Sequence, residues 1–227
     1  MPLISVIMPT YNHASFIKEA LDSIKKQTFR DYEIIVIDDG STDNTKEILE
    51  NYAGIRYLLL EHGGVAAARN AALKVAGGKW IAFLDSDDLW KEDKLQKQVD
   101  YLHLHPECRI VYTKFSNFTD IPEDKMDERQ KELLQGDDRS WHLTSALVDV
   151  RLFDEIGLFD RKLKCHSDTE WNFRLKFYKV NMNHCINEVL YLRRVHNTNI
   201  SNARRELYST DIRDLALDAY KKIRRIK

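Results

Sequence analysis

Cysteine is scarce in this chain. Cys108, Cys165 and Cys185 form an odd set with no C-x-x-C pair, which argues against a disulfide framework and a zinc site and points to a reducing, cytoplasmic compartment. Long apolar runs are missing too. No stretch approaches the roughly 18 residues that a membrane span needs, and the run from Leu3 to Met8 is too short for a signal sequence and lacks its basic flank. Nor is there an excess of charge of one sign. A net charge of −1 gives no long-range pull toward nucleic acid or an anionic membrane, so nucleic acid is not an expected partner and any polyanion must be held locally. Neither G-x-G-x-x-G nor G-x-x-x-x-G-K-[ST] occurs, which leaves dinucleotide and P-loop readings unsupported. Internal repeats and low-complexity tracts are also absent. With 43% hydrophobic and 31% charged residues, the 227-residue chain reads as an ordinary globular protein able to bury a substantial core, and we expect one domain with two lobes.

What is present is an alternation of strand and helix. Leu3 to Met8, Glu33 to Asp38, Ile55 to Leu60 and Trp80 to Leu84 are short apolar runs without strict alternation, the pattern of parallel strands buried on both faces. Helical spacing of apolar residues predicts helices over Ser15–Lys26, Asn44–Tyr52, Val65–Val75 and Lys91–Leu104. Strands alternating with helices imply right-handed crossovers and an α/β sheet. The second half is less regular. It predicts a strand over Ile110–Phe115, an exposed charged loop with a short helix over Asp120–Arg139 that could form a lid, a strand near Trp141–Leu147, a helix over Asp168–Lys179, a strand near Val189–Arg194 and a C-terminal helix from about Ala203.

In such sheets ligands bind beyond the carboxyl ends of the strands, and the polar clusters of this chain fall there. Pro9-Thr10-Tyr11-Asn12, Asp38-Asp39-Gly40-Ser41, Gly63-Gly64 and Asp85 to Asp88 follow the four predicted strands in turn. The last cluster, Asp85-Ser86-Asp87-Asp88, crowds three carboxylates into four residues. Like charges this close repel and raise one another's pKa values, so a cation or full solvation must accompany them. A hard, oxygen-preferring ion such as Mg2+ or Mn2+ suits them, sharing its remaining positions with water and a ligand's phosphates. Helix capping by a solvated Asp cluster is the alternative.

Ser5 to Asn12, then Ile34 to Asp43, then Phe83 to Asp88 together resemble a family 2 inverting glycosyltransferase of the GT-A fold. The resemblance covers about residues 3 to 105. It implies an α/β, Rossmann-like, mostly parallel sheet flanked by helices, with residues 1–105 as a nucleotide-sugar-binding lobe and 106–227 as an acceptor-binding lobe. It also implies a nucleotide-sugar donor, UDP-linked, a Mn2+ or Mg2+ cofactor, and a glycan or lipid-linked glycan acceptor.

By the same resemblance, Pro9, Thr10, Tyr11 and Asp39 hold the nucleotide base. The chemistry agrees, since a Tyr ring can stack on a pyrimidine and a carboxylate can accept its ring N–H. A half-buried turn aromatic and a helix cap are the plain readings of Tyr11 and Asp39, although Ser41 or Asp43 could cap instead. Arg69 is expected on the ribose or diphosphate, or else as a solvated helix side chain. Asp85 with Ser86 is assigned to the donor, and Asp87, Asp88 and His196 to the metal, His196 being otherwise a surface-loop histidine.

The general base implied is Asp168, in His166-Ser167-Asp168-Thr169-Glu170, where Ser167 stands in place of the family's frequent Glu. Glu170 is the rival, although an exposed i, i+4 ion pair with Arg174 explains it without chemistry. Trp80, Trp90 and Trp171 are expected in the core, and the other seven histidines show no metal-site spacing. The C-terminal segment from Lys221 to Lys227 carries five cations, a solvated helix end or a peripheral membrane contact at the inner face. A sugar-1-phosphate nucleotidyltransferase is disfavoured because no Gly-rich, Arg-containing loop follows the first strand. A non-catalytic nucleotide-sugar-binding module stays open.

Overall fold

Strand β1 (Ile4–Thr10) sits between β2 (Tyr32–Asp38) and β4 (Trp80–Phe83), parallel to both, in a computed structural model that describes residues 1–135, 142–163, 166–197 and 214. Strand β3 (Arg56–Leu59) extends the parallel set at the edge. Beyond β4 the sheet turns mixed. The remaining strands are β5 (Leu89–Trp90), β6 (Ile110–Phe118), β7 (Leu147–Asp149) and β8 (Cys185–Arg194), and the order across the sheet is β3-β2-β1-β4-β7-β6-β8-β5. β7 runs antiparallel to β4 and β6, whereas β8 runs parallel to β6 and antiparallel to β5.

The missing alternation in the sequence has a direct cause. Along β1, β2 and β4 the pleat sends Val6, Met8, Ile34, Val36 and Ala82 to one face and Ile7, Ile35, Ile37, Ile81 and Phe83 to the other, and both faces are covered. The first face packs under α1 (Ile17–Lys25), α2 (Thr45–Glu50) and α4 (Lys94–Leu104), and the second under α3 (Val65–Leu73), α6 (Arg151–Ile156) and α7 (Ser167–Phe177). Ile17, Ala20, Leu21 and Ile24 form the buried stripe of α1, each large side chain contributing about 1.5–3 kcal/mol of hydrophobic stabilisation. Trp80, Trp90 and Trp171 are all buried. No helix among the described residues is long and apolar enough to cross a membrane.

The structure corrects two expectations. β3 is not a buried strand: it lies at the sheet edge, with Arg56 exposed and Leu59 49% exposed. The strand expected near Trp141–Leu147 is a 3-10 turn over Leu143–Ser145 followed by β7. His142 Nδ1 lies 2.6 Å from Thr144 Oγ1 and Ser145 Oγ donates to the His142 carbonyl, so short polar side chains capture the backbone before it can extend. Within the charged 120–139 segment the expected short helix is α5 (Glu128–Leu134), which starts with an Asp127–Gln130 capping box and follows a 3-10 turn over Glu123–Lys125, while residues 136–139 lie outside the described residues. The expected C-terminal helix, Cys165 and the basic Lys221–Lys227 segment lie outside the described residues.

Candidate functional site

The strand ends deliver polar groups to one edge, as the parallel half of the sheet requires. Tyr11 leaves β1 40% exposed and stacks on His62, with ring centroids 4.3 Å apart. Thr10 at the strand end is buried, and its carbonyl accepts from the Asp39 N–H at 2.9 Å. The Asp39 carboxylate accepts from the backbone N–H groups of Gly63 and Gly64, both at 2.8 Å, and lies 2.9 Å from His62 Nδ1. Gly40 makes this close approach workable: its φ of +81° disfavours a side chain, and a Cβ would meet the His62 nitrogen at 3.1 Å. Asp38 and Asp43 do the local turn work instead, Asp38 accepting from the Ser41 N–H and Asp43 from the Thr45 N–H.

Arg69 is buried in α3, not solvated. Its Nη2 donates to Asp85 Oδ1 at 2.8 Å while the guanidinium lies 5.6 Å from the Phe83 ring and 5.8 Å from the Phe159 ring. Its Nε is a buried donor with no hydrogen-bond partner among the described residues. Burial disfavours the cation, but Asp85 and Asp168 together raise its pKa above the usual value.

Ser86 Oγ lies 2.7 Å from His13 Nδ1, and Asp87 Oδ2 lies 3.0 Å from His196 Nε2. His196 is buried beside Phe16, with ring centroids 4.6 Å apart, so it is not a surface-loop residue. Burial opposes ionisation of Asp87, yet the His196 hydrogen bond and the nearby His13 hold its carboxyl below the ordinary range. Asp88 behaves differently. Its Oδ1 accepts from the Arg194 N–H at 2.7 Å, its Oδ2 from the Tyr191 hydroxyl, and burial followed by the charges of Asp87 and Asp85 pushes its pKa well up. Both its oxygens face inward to the protein, whereas Asp87 and His196 leave a carboxylate and an imidazole side by side. That donor pair fits a divalent ion that takes few protein ligands and completes its shell with water and phosphate oxygens.

Asp168 opens α7, half-buried in its first turn, where the helix dipole favours an anion. Burial raises its pKa, but the fields of His142 and Arg69 outweigh burial and keep it ionised below the usual range. His142 escapes sequence reasoning altogether. Its ring lies parallel to Tyr191 at 6.1 Å, and burial lowers its pKa against the pull of Asp168 and Asp85. Glu170, expected in an exposed ion pair with Arg174, is instead fully buried with it, Arg174 Nη2 donating at 2.9 Å. The same guanidinium donates to the carbonyls of Ile156, Gly157 and Leu158, so the pair clamps the turn after α6 onto α7.

Comparison with known proteins places the chain among glycosyltransferases. An uncharacterised glycosyltransferase of Rickettsia prowazekii is 35% identical over 216 residues, covering 88% of this chain and 66% of that protein. The UDP-Glc:alpha-D-GlcNAc-diphosphoundecaprenol beta-1,3-glucosyltransferase WfgD of Escherichia coli is 44% identical over 103 residues, 44% of this chain and 41% of the relative. Among solved structures, S. aureus TarS in complex with UDP superposes with a TM-score of 0.69 at 27% identity, covering 87% of this chain and 61% of TarS. The chain therefore spans about 41–66% of the length of these proteins. The fold is GT-A. The Glycosyl transferase family 2 model matches residues 5–158, and with that match over most of its length this chain belongs to glycosyl transferase family 2.

Proposed function

We propose that this chain transfers a hexosyl group from a UDP-sugar to a hydroxyl group of a glycan or lipid-linked glycan, with inversion at the anomeric carbon. One observation carries the reading: Arg69 hydrogen-bonds Asp85 and lies in the field of Asp168, so the donor-side carboxylate and the candidate base share one buried cation.

In this reading Tyr11 stacks a uracil ring on the face turned away from His62, and Asp39, held by the Gly63 and Gly64 N–H groups, uses a remaining lone pair to accept its N–H. Asp85 and Ser86 face the ribose, and Arg69 steadies the diphosphate. Asp168 takes the proton of the acceptor hydroxyl as its oxygen bonds to the anomeric carbon, while the bond from that carbon to the diphosphate oxygen breaks and UDP departs with the electron pair. An ionised Asp168 at neutral pH suits a base. Asp87 and His196 would hold a Mn2+ or Mg2+ ion, which when bound neutralises charge on the departing diphosphate. Asp88, with both oxygens engaged, orients the Asp87 loop. Residues 1–105 hold the donor in this scheme, and the later residues supply the base and the acceptor surface. The E. coli relative named for a diphosphoundecaprenol-linked substrate and the UDP complex of TarS support these substrate classes.

The test is a panel of nucleotide sugars scored for thermal stabilisation with Mn2+, followed by release of UDP with water as acceptor. A UDP-sugar is expected to stabilise the chain and to be slowly hydrolysed, with hydrolysis lost in Asp168→Asn while UDP still binds. Equal turnover in both proteins would remove Asp168 from the mechanism, and no stabilisation by any UDP-sugar would remove the donor.

A further inference from the structure

His142 borders the candidate site, yet the chemistry proposed there gives it no task. It stands immediately before the 3-10 turn over Leu143–Ser145, and its carbonyl accepts from the Ser145 N–H at 2.9 Å and the Ser145 hydroxyl at 2.7 Å, which holds its backbone in place. Its ring packs against Phe115, with centroids 5.4 Å apart, and against Tyr191 at 6.1 Å, within 19° of parallel. Nδ1 lies 2.6 Å from the hydroxyl oxygen of Thr144, which is fully buried. Backbone, ring plane and one ring nitrogen are therefore fixed before any ligand arrives.

Nε2 is different. No described residue bonds it, and the protein does not enclose it, so it reaches solvent. Asp85 and Asp168 are half-buried like His142 itself, and both act on its ring electrostatically, Asp168 the more strongly. Burial outweighs those two carboxylates and lowers its pKa, which leaves the ring neutral near neutral pH. A neutral imidazole offers little to a diphosphate but suits a hydroxyl. Whichever ring nitrogen carries the proton, Nε2 is either a lone pair or an N–H, and a hydroxyl both donates and accepts. Core packing accounts for the ring faces and for Nδ1. It gives no reason for an unbonded nitrogen open to solvent beside two carboxylates.

We infer that His142 is a specificity-determining residue whose Nε2 hydrogen-bonds a hydroxyl of the hexosyl ring being transferred. This rests on the proposed function, in which the diphosphate lies at Arg69 and Asp85 and the base is Asp168. The transferred ring must then bridge the two, and His142 feels the charge of both ends. The contact acts mainly in discrimination. A site built to bond one hydroxyl rejects a sugar that lacks it, because the site's own polar atom is then left unpaired.

The test compares UDP with the UDP-sugar that best stabilises the whole wild-type chain, each titrated calorimetrically with Mn2+ present, and follows hydrolysis of that UDP-sugar by water, which needs no acceptor. His142→Ala is expected to leave the Kd for UDP within about twofold and to weaken the UDP-sugar by about 5- to 10-fold, the loss of one hydrogen bond, with KM for hydrolysis rising in step. His142→Phe keeps the packing on Phe115 and Tyr191, and is expected to show the same loss with an unchanged Tm. Among monodeoxy forms of the sugar, one is expected to bind wild type as weakly as the parent binds His142→Phe and to lose nothing further in that variant. The inference is overturned if His142→Phe binds the UDP-sugar as wild type does, if UDP and UDP-sugar weaken equally, or if no deoxy sugar is coupled to His142. A loss confined to the acceptor's KM, or a shifted pH limb with sugar affinity intact, would also overturn it by moving His142 to the acceptor or to the base. A wild-type chain that binds no UDP-sugar would sink the proposed function itself, and this inference with it.

Discussion

His196 Nε2 lies 3.0 Å from Asp87 Oδ2, tying the loop after β4 to the residues just past β8. The contact sets a carboxylate held below its ordinary pKa beside an imidazole, neither of which can be replaced by the other's chemistry. His196→Ala is expected to lower Mn2+ affinity in the presence of UDP by about 10- to 100-fold, the usual range for a lost metal ligand or its orienting partner. Isothermal titration with and without UDP checks this. Unchanged affinity would separate His196 from the ion.

Asp88 should behave as the opposite of its neighbour. Its carboxyl is raised in pKa, buried, and bonded by the Tyr191 hydroxyl and the Arg194 N–H. Asp88→Ala strands both donors and is expected to cost about 1–3 kcal/mol in chemical denaturation. Asp88→Asn keeps the shape and one acceptor, and is expected to retain most metal affinity, whereas Asp87→Asn loses it. A loss of Mn2+ binding in Asp88→Asn equal to that in Asp87→Asn would restore Asp88 to the metal shell.

These two carboxylates mark the line between what the sequence discloses and what it hides. Runs such as Ile34 to Ile37 and Ile81 to Leu84 announce doubly covered parallel strands, because burial on both faces removes alternation. The same apolar run over Leu58 to Leu60 misleads, since an edge strand and a central one differ in their neighbours and not in their own residues. That Asp85, Asp87 and Asp88 cluster is visible from spacing alone. Their division of labour is not, because it depends on Arg69, His196, Tyr191 and Arg194, each brought in from another element. Glu170 and Arg174 have the spacing of a surface pair. The carbonyls of Ile156 to Leu158, placed by the turn after α6, help to make their burial tolerable.

Lys94 carries a pH dependence unconnected with the site. It is fully buried, donates to Gln98 Oε1 at 2.9 Å and lies 4.3 Å from the Trp90 ring centroid, and burial pulls its pKa from 10.5 down to about 7. An unfolded lysine keeps its proton until about pH 10.4, so between there and about 7 the unfolded chain holds more protons and stability rises with pH. Below about 7 both states are charged and the burial penalty is felt in full. Lys94→Met keeps the packing on Trp90 without the charge. It is expected to gain roughly 1–3 kcal/mol at pH 6.5 and to flatten the rise toward pH 9, read from urea midpoints at both pH values. A midpoint for Lys94→Met below wild type at pH 6.5 would contradict this account.

Asp168 and Glu170 share one helix turn, and separating them requires two measurements on the same pair of variants. Glu170 makes a fully buried 2.9 Å ion pair with Arg174, so Glu170→Ala leaves that guanidinium uncompensated and is expected to cost about 3–5 kcal/mol, while Glu170→Gln preserves an acceptor and costs less. Neither change removes a base, so the surviving folded fraction of Glu170→Gln should keep its kcat. Among the described residues Asp168 makes no comparable clamp, and it sits half-buried in the fields of His142 and Arg69. Asp168→Asn is expected to leave the urea midpoint within about 1 kcal/mol of wild type, the cost typical of one lost hydrogen bond. Its kcat should fall about 10²- to 10⁴-fold, the contribution of a positioned general base, with KM for the nucleotide sugar little changed. Because the carboxyl is held below its ordinary pKa, the acid limb of wild-type kcat should lie below that of an ordinary aspartate. A wild-type limb near pH 6, or a kcat loss confined to Glu170→Gln, would move the base to another residue.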